Sequence, residues 1–239
     1  MSLHNLSPSD HDAESAATDA PPEAAVKGIS GRMLKAAVER ALRIQQPTIA
    51  AHVAKIRRDN PDATPAEVIA SLDKQYLLAA GGLGAAAGGA AFFPGIGTAA
   101  SLAAGAAEVV ALLDASVLYT LAMAEVHGQP MRDVERRRAL VLAIILGEGG
   151  AALMRKATGR SKNWAQDLAN TVPLAKLGPI NQILVRWLIK RFVVRQGALA
   201  LGRALPFGAG AVIGATGNVA IARSVIRSAE RAFGPPPEC

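Results

Sequence analysis

A run of 31 residues without a charged side chain, Leu77 to Ala107, constrains the fold of this chain more than any other feature. Its first part is rich in glycine and alanine, and Phe93-Pro94-Gly95 interrupts that pattern before Thr98 opens a second apolar stretch. Adjacent proline and glycine residues are typical of a turn. The run therefore predicts a helical hairpin with Pro94-Gly95 at its tip.

The glycines in the first arm of this hairpin are costly for a helix. Five of them cost about 4–5 kcal/mol relative to alanine, at roughly 1 kcal/mol each. A close approach of another backbone along the glycine face would recover that cost. Gly84 and Gly88 have the G-x-x-x-G spacing that permits such contact in lipid, but Ala/Gly-rich helices of soluble proteins pack closely too. The arm thus predicts tight helix packing, in a bundle or in a bilayer.

The run exceeds the roughly 20 residues that a membrane-spanning helix needs, but its composition does not favour insertion. The eight Leu and Val residues from Leu102 to Leu121 contribute about −2.4 to −4.8 kcal/mol on an insertion scale, whereas Asp114 alone costs about +2.5 to +3.5 kcal/mol. We therefore expect a hairpin that packs in a bundle or dips its tip into one leaflet. The tip residues that would contact lipid are Phe92, Phe93 and Pro94.

Three polar residues within apolar stretches are the candidate buried polar residues: Glu108, Asp114 and Asn218. Asp114 and Glu125 are about three turns apart and share a helix face, which Glu108 does not. Two interpretations stay open for the acidic residues: a proton or cation site, or salt bridges to arginines of later helices on a buried or wet face. Asn218 is more typical of a packing group that bonds to the backbone of a neighbour.

Helix signals occur throughout the remaining chain, whereas alternation typical of strands is nearly absent. Thr64-Pro65-Ala66-Glu67 is a capping box, and a second Gly-rich apolar stretch follows Leu205-Pro206-Phe207-Gly208. We predict an all-α protein, a single helical bundle with two Gly/Ala-rich apolar helical hairpins. The other predicted segments are helices over 31–46, 48–59, 132–152 and 181–205 and a polar connector over 155–170.

The charge of the chain is unevenly distributed. Residues 1–25 carry five acids and no Lys or Arg, which leaves 14 acids against all 26 basic residues in the rest of the chain. We predict that this acidic tail is disordered, since it has little to bury, and it has neither the basic start nor the apolar run of a secretory signal. The expected location is the cytoplasmic side of the cell membrane, and not secretion. The basic remainder suits anionic lipid, or a solvated helical surface.

The segment from Asn181 to Leu205 is the most strongly basic amphipathic helix of the prediction. Arg186, Lys190, Arg191 and Arg195 lie roughly on one side, and Trp187 belongs to the apolar remainder. Cations at lipid headgroups with a tryptophan at the boundary are typical of an interfacial helix. A helix that packs on the core with an ordinary charged exterior fits the same pattern, so both interpretations stay open.

The sequence contains no pattern that carries a recognisable reaction. Its Gly-rich stretches lack the Gly-Lys-Ser/Thr of a P-loop, and G-x-S-x-G, H-E-x-x-H and paired cysteines are missing. Cys239 is the single cysteine and the four histidines are scattered, so we predict no metal site and no cofactor. Basic residues are not interleaved with stacking aromatics, which disfavours nucleic acid as a partner. We expect a protein that is not an enzyme, and an unrecognised Asp/Glu-based hydrolase is the remaining catalytic interpretation.

Three segments resemble the EcsC protein family of bacteria. They are the Gly/Ala-rich stretch with Pro94-Gly95 and the long helix to Gly128, the Arg-rich helix up to Gly147, and the segment from Ala204 to Gly234. The resemblance covers roughly residues 64–234 and departs from the family pattern at His127, where an aromatic residue is usual. It implies an all-helical, membrane-associated protein whose molecular role is not established. The family takes its name from an operon that also encodes an ABC transporter, and no catalytic residue is carried over.

These observations predict four parts: a disordered acidic tail (1–28), N-terminal amphipathic helices (29–63), an EcsC-like helical domain (64–234) and a Pro-rich tail (235–239). The function we expect is non-enzymatic modulation or scaffolding of membrane transport or secretion machinery at the cytoplasmic face. Its partners would be anionic lipid or the membrane surface, and membrane transport proteins. The alternative is a soluble helical module that binds a lipid or another apolar small molecule in a Gly/Ala-lined pocket.

Overall fold

The computed structural model describes residues 35–43, 46–90, 98–159, 162–203 and 209–238, and within these ranges every regular element is a helix. The all-α prediction is confirmed. The helices, in chain order, are α1 (described over 35–41), α2 (Gln46–Asp59), α3 (Pro65–Ala90), α4 (Thr98–Val126), α5 (Val134–Leu146), α6 (Glu148–Ala157), α7 (Trp164–Asn170), α8 (Leu174–Arg203) and α9 (Ala209–Phe233).

Helices α3, α4 and α9 form the centre of the bundle, because α3 packs most extensively on α9 and next on α4. The glycines of α3 allow this packing: a Cβ added at Gly81 would lie 3.3 Å from Cγ2 of Val219. The helix that lies against this arm at Gly81 is therefore α9 of the second predicted hairpin, and the contact is made by a side chain, whereas the approach of a backbone was expected. Within the first hairpin, α3 and α4 are antiparallel, as the contact between Tyr76 and Ser116 and that between Asp73 and Tyr119 show.

Helix α4 is the core helix of this bundle. Its segment from Ala107 to Val126 is the one candidate membrane span, by length and composition, in the part of the chain that the structure describes. Protein buries 61% of that span, and side chains such as Val117 and Leu121 are inaccessible. The hydropathy of α4 is therefore accounted for by packing within the protein.

Helix α3 begins at the predicted capping box. The backbone N–H of Glu67 donates to Oγ1 of Thr64 at 3.3 Å, and the N–H of Thr64 donates to Oε2 of Glu67 at 2.8 Å. The N–H of Thr64 and its hydroxyl, which also donates to Oε2 of Glu67 at 2.9 Å, lower the pKa of the Glu67 carboxyl because they favour its charged form. Pro65 is the first residue of the helix, where no amide partner is required.

Four sequence predictions differ from the structure. The helix predicted over 132–152 is broken at Gly147, which has a φ of +69° and lies between the end of α5 and the start of α6. The predicted polar connector contains α7, whose Trp164 is only 1% exposed. Helix α8 begins seven residues before the predicted Asn181, because Pro179 lies in its second turn and removes only one backbone hydrogen bond. Pro47 does not separate two helices but lies in the first turn of α2.

Several predicted features lie outside the described residues. These are the acidic tail over 1–28 and the tips of both hairpins, including Phe92, Phe93 and Pro94. The side chain of Arg195 also lies outside the description. Within the described residues, the apolar side chains of α1 and α2 join the same core cluster as those of α3 to α9. The predicted boundary at residue 64 therefore does not separate two cores.

The junction between α5 and α6 generates a test of the fold. A Cβ at Gly150 would lie 2.4 Å from the backbone O of Ala143, so we expect Gly150→Ala to lower the free energy of unfolding by about 1–3 kcal/mol or more, as overpacked cores do. Gly82 is the matched control, because a Cβ there meets nothing within 4 Å. Gly82→Ala should raise stability by about 0.5–1 kcal/mol. Denaturant unfolding followed by circular dichroism measures both, and equal midpoints for the two variants would contradict the packing described.

Candidate functional site

The exposed side of α8 carries the predicted basic residues and the predicted tryptophan. Leu184 and Leu188 are buried, and α8 packs mainly on α5. Arg186, Trp187 and Lys190 are exposed on the same helix. Because Arg186 and Lys190 are four residues apart and Trp187 is three residues from Lys190, the three side chains are neighbours on one surface. We call these three residues the outer face of α8.

Trp187 is the aromatic residue of this face, and 43% of its surface is exposed. One edge of its ring lies against the start of α6, where a Cβ at Gly149 would be 3.9 Å from Cζ3. The rest of the ring is accessible beside two cations. Trp164, the other tryptophan of the chain, is fully buried in the core. The two tryptophans therefore have opposite environments.

Arg191 was grouped with the outer face by sequence, but the structure directs it into the protein. It is half-buried, and its Nη1 donates to the carbonyl O of Leu146 at 2.5 Å. Leu146 is the last residue of α5, where backbone carbonyls lack intrahelical partners. Arg191 thus stabilises the end of α5. Among the described residues, the predicted lipid contacts that remain are the three residues of the outer face of α8.

Glu108 and Asn218 join α4 to α9. Both side chains are buried, and Nδ2 of Asn218 donates to Oε1 of Glu108 at 2.9 Å. The sequence predicted burial for both, and this is confirmed; the expected backbone partner of Asn218 is instead a carboxylate. A hydrogen bond to a buried carboxylate offsets part of its desolvation cost.

Asp114 and Glu125 both contact the N-terminal segment, as their common helix face requires. Nη2 of Arg40 forms an ion pair with Oδ2 of Asp114, and Nε2 of Gln46 donates to Oε2 of Glu125 at 2.6 Å. Asp114 therefore has an arginine partner, as one of the two interpretations expected, but the arginine precedes α4 in the chain. The predicted burial of Asp114 is wrong: it is half-buried, and its arginine partner is exposed. In the described ranges, no group of three or more His, Cys, Asp or Glu side chains could hold a metal ion.

A pair of stacked tyrosines lies between α3 and α4, and the sequence analysis did not identify it. The ring centroids of Tyr76 and Tyr119 are 4.7 Å apart with an interplanar angle of 14°. The hydroxyl of Tyr119 donates to Oδ1 of Asp73 at 2.7 Å, and the Tyr76 hydroxyl lies 2.6 Å from Oγ of Ser116. Asp73 and Tyr76 are one turn apart, as are Ser116 and Tyr119. That matched spacing on two arms of one hairpin is the signal that could have found the cluster.

Burial controls the ionisation of this cluster. It raises the pKa of Tyr76 to about 12 and the pKa of Tyr119 further, where the hydrogen bond to Asp73 adds to the effect. It also raises the pKa of Asp73, against the opposing effect of the hydrogen bond from Tyr119. The two hydroxyls therefore stay protonated at neutral pH and act as hydrogen-bonding groups that join α3 to α4.

A cavity of about 450 Å³ lies between the N-terminal segment and the start of α5. It is an open groove with both basic and apolar walls, and neither glycine nor alanine is among the described residues that line it. These residues are Glu39, Leu42, Arg43, Gln46, Val134, Arg137 and Arg138. The groove thus differs in its chemistry from the Gly/Ala-lined pocket that the sequence suggested as an alternative.

The tyrosine pair gives a prediction that absorbance can test. The chain contains two tyrosines, so tyrosinate absorbance in the near ultraviolet reports on this pair alone. Unfolded tyrosine ionises near pH 10, whereas burial holds the pKa of Tyr76 at about 12 in the folded protein. The unfolded state therefore loses protons first, and this contribution to stability is constant below about pH 10 and falls as the pH rises towards 12. We expect native protein to show no tyrosinate at a pH where guanidinium-unfolded protein is half ionised. Coincident titrations would contradict the buried pair.

Comparison of the chain with protein-family models, with curated proteins and with solved structures finds no match. The resemblance to the EcsC family therefore stays a prediction that rests on the three segments described above. Function has to be argued from the side chains themselves. Among the described residues, the buried polar pairs hold helices together, whereas the outer face of α8 presents accessible cations and an accessible tryptophan.

Proposed function

We propose that this protein is a non-enzymatic, membrane-associated helical protein that contacts the cytoplasmic face of the cell membrane through the outer face of α8. The observation that carries the proposal is the 43% exposure of Trp187 beside Arg186 and Lys190 on the same surface. An exposed tryptophan ring beside two cations leaves a large apolar surface in contact with water. It suits the boundary between lipid headgroups and acyl chains.

The three side chains would divide the contact between them. Arg186 and Lys190 would pair with headgroup phosphates of anionic lipid, each contributing about 1 kcal/mol near the surface. Their aliphatic stems would lie along the interface while the charged ends stay hydrated. The ring of Trp187 would occupy the headgroup level. The 14 acids and 26 basic residues beyond residue 25 add a long-range attraction to an anionic surface.

The contact that we propose is peripheral. Helix α4 has the hydropathy of a span, but two of its carboxyl groups have partners on other helices: Glu108 is buried against Asn218, and Asp114 forms an exposed ion pair with Arg40. Inserting α4 into lipid would separate these pairs at a cost of several kcal/mol. Insertion of the tip residues Phe92, Phe93 and Pro94, which lie outside the described residues, is the competing mode of attachment. The role at the membrane, modulation or scaffolding of transport or secretion machinery, is supported by the EcsC resemblance alone.

The alternative function, a soluble module with a Gly/Ala-lined pocket, has less support. Such a pocket would require an open glycine face on α3. At Gly81 that face is filled by Val219 of α9, so this position is used for packing. The membrane contact is the function that the exposed residues support better.

Vesicle sedimentation tests the contribution of the two cations. We expect Arg186→Gln/Lys190→Gln to weaken binding to phosphatidylglycerol-containing vesicles about 30-fold, since two cations at about 1 kcal/mol each are lost. Arg57→Gln/Arg58→Gln is the matched control, because it removes the same charge from two exposed residues at the end of α2 and should change binding by less than about threefold. Equal losses in both variants would show that net charge, and not the outer face of α8, directs binding.

Tryptophan fluorescence tests the position of the ring. The chain has two tryptophans, and only Trp187 is accessible. Anionic vesicles should therefore shift the emission of the wild-type protein to the blue, and Trp187→Phe should abolish the shift while Trp164 still emits. A high-salt wash should release the protein from membranes. Retention through a subsequent alkaline carbonate wash would instead show inserted hairpins and contradict a peripheral contact.

A further inference from the structure

The groove between the N-terminal segment and the start of α5 has a basic lining. Its described lining contains three arginines and one glutamate, Arg43, Arg137, Arg138 and Glu39, a formal charge of +2. A volume of about 450 Å³ lies within the range of small-molecule sites. The groove is therefore large enough, and basic enough, for a small anion.

Two of the three guanidinium groups are fixed in place by the fold. Arg137 is buried, and it donates to the carbonyl O of Leu42 at 3.1 Å and to that of Met131 at 3.2 Å. Arg138 forms ion pairs with Glu39 at 2.8 Å and with Glu135 at 3.1 Å. Such tethering holds the donors in position before a ligand arrives, which lowers the entropic cost of binding.

A donor of Arg138 is left over in this arrangement. Its Nε is buried and has no hydrogen-bond partner among the residues that the structure describes. This N–H is covered by protein, so it does not contact a ligand in the groove. Arg43 is the exposed guanidinium of the lining, whereas Arg138 is half-buried and Arg137 is buried. The backbone N–H groups of Glu135 and Arg136, at the start of α5, are not available to bind an anion, because both donate to Oδ1 of Asp133.

The groove also has an apolar wall. Val134 is 52% exposed although it is branched and apolar, and Leu42 lines the groove beside it. An exposed valine beside three guanidinium groups favours a ligand with an apolar portion next to its charge. Arginine in turn favours phosphate, because its planar donors match phosphate oxygens in a bidentate geometry.

We propose that this groove binds an amphiphilic phosphate monoester. Its phosphate, which carries about −1.5 to −2 charges at neutral pH, would lie among Arg43, Arg137 and Arg138 and match the charge of the lining. Its alkyl portion would lie on Val134 and Leu42. The same chemistry belongs to a soluble phosphate ester and to the headgroup of phosphatidic acid. None of the residues on the outer face of α8 takes part, so this inference goes beyond the proposed function and does not depend on it.

Calorimetric titration of the full chain with inorganic phosphate and with hexyl phosphate tests the site. We expect hexyl phosphate to bind about tenfold more tightly, since part of its chain leaves water at the apolar wall. Arg43→Gln should weaken the binding of both probes by about tenfold or more, as loss of a charge-assisted hydrogen bond does. Val134→Ser should weaken hexyl phosphate alone. Arg57→Gln, on an exposed part of α2 outside the groove, should leave both affinities unchanged.

Vesicles distinguish the two sources of the phosphate. If Arg43→Gln weakens binding to phosphatidic acid vesicles as well as to hexyl phosphate, the ligand is a lipid headgroup. If only hexyl phosphate binding weakens, the ligand is a soluble ester. Arg186→Gln/Lys190→Gln should retain wild-type affinity for hexyl phosphate whatever its effect on vesicles, which separates this inference from the proposed function. Thermal unfolding checks that Arg43→Gln is folded. Hexyl phosphate that does not bind, or that binds folded Arg43→Gln as tightly as the wild type, would overturn the proposal.

Discussion

The close approach of α9 to the glycine face of α3 is the constraint on which the rest of this structure depends. Val219 lies against Gly81, where an added Cβ would be 3.3 Å from its Cγ2 and would require a small shift of the valine or of the helices. Once α9 is there, Asn218 is near enough to hydrogen-bond to Glu108 of α4. The three central helices are thus joined by packing on one side and by polar contacts on the other. At Gly81 this packing offsets part of the helical cost of a glycine.

Much of the fold could be predicted because its signals are local. The charge-free run and the capping box at Thr64 predicted α3 and α4, and their antiparallel packing follows from the predicted hairpin. The break at Gly147 and the burial of Trp164 could not be predicted in the same way. Both depend on what another helix places nearby, and an Arg-rich segment or a polar connector has the same sequence whether or not it is covered.

The candidate site could be predicted only in part, for a related reason. Helical periodicity placed Arg186, Lys190 and Arg191 roughly on one side of α8, but a long side chain can turn towards water or towards a neighbour. The end of α5 gives Arg191 a carbonyl to bind, and no pattern within α8 contains that information. The groove beside Arg43 was not foreseen at all, because its residues come from two segments about 90 positions apart.

The contacts of α1 and α2 with α4 have a consequence for where the smallest autonomous unit of this protein begins. Arg40 supplies the countercharge of Asp114, and Gln46 binds Glu125. A fragment that starts at residue 64 would keep both carboxylates on its most apolar helix and lose the side chains that satisfy them. It would also uncover the surface that Ile49 and Val53 now bury. The region that resembles a family therefore lacks part of the core, which extends into α1 and α2 among the described residues.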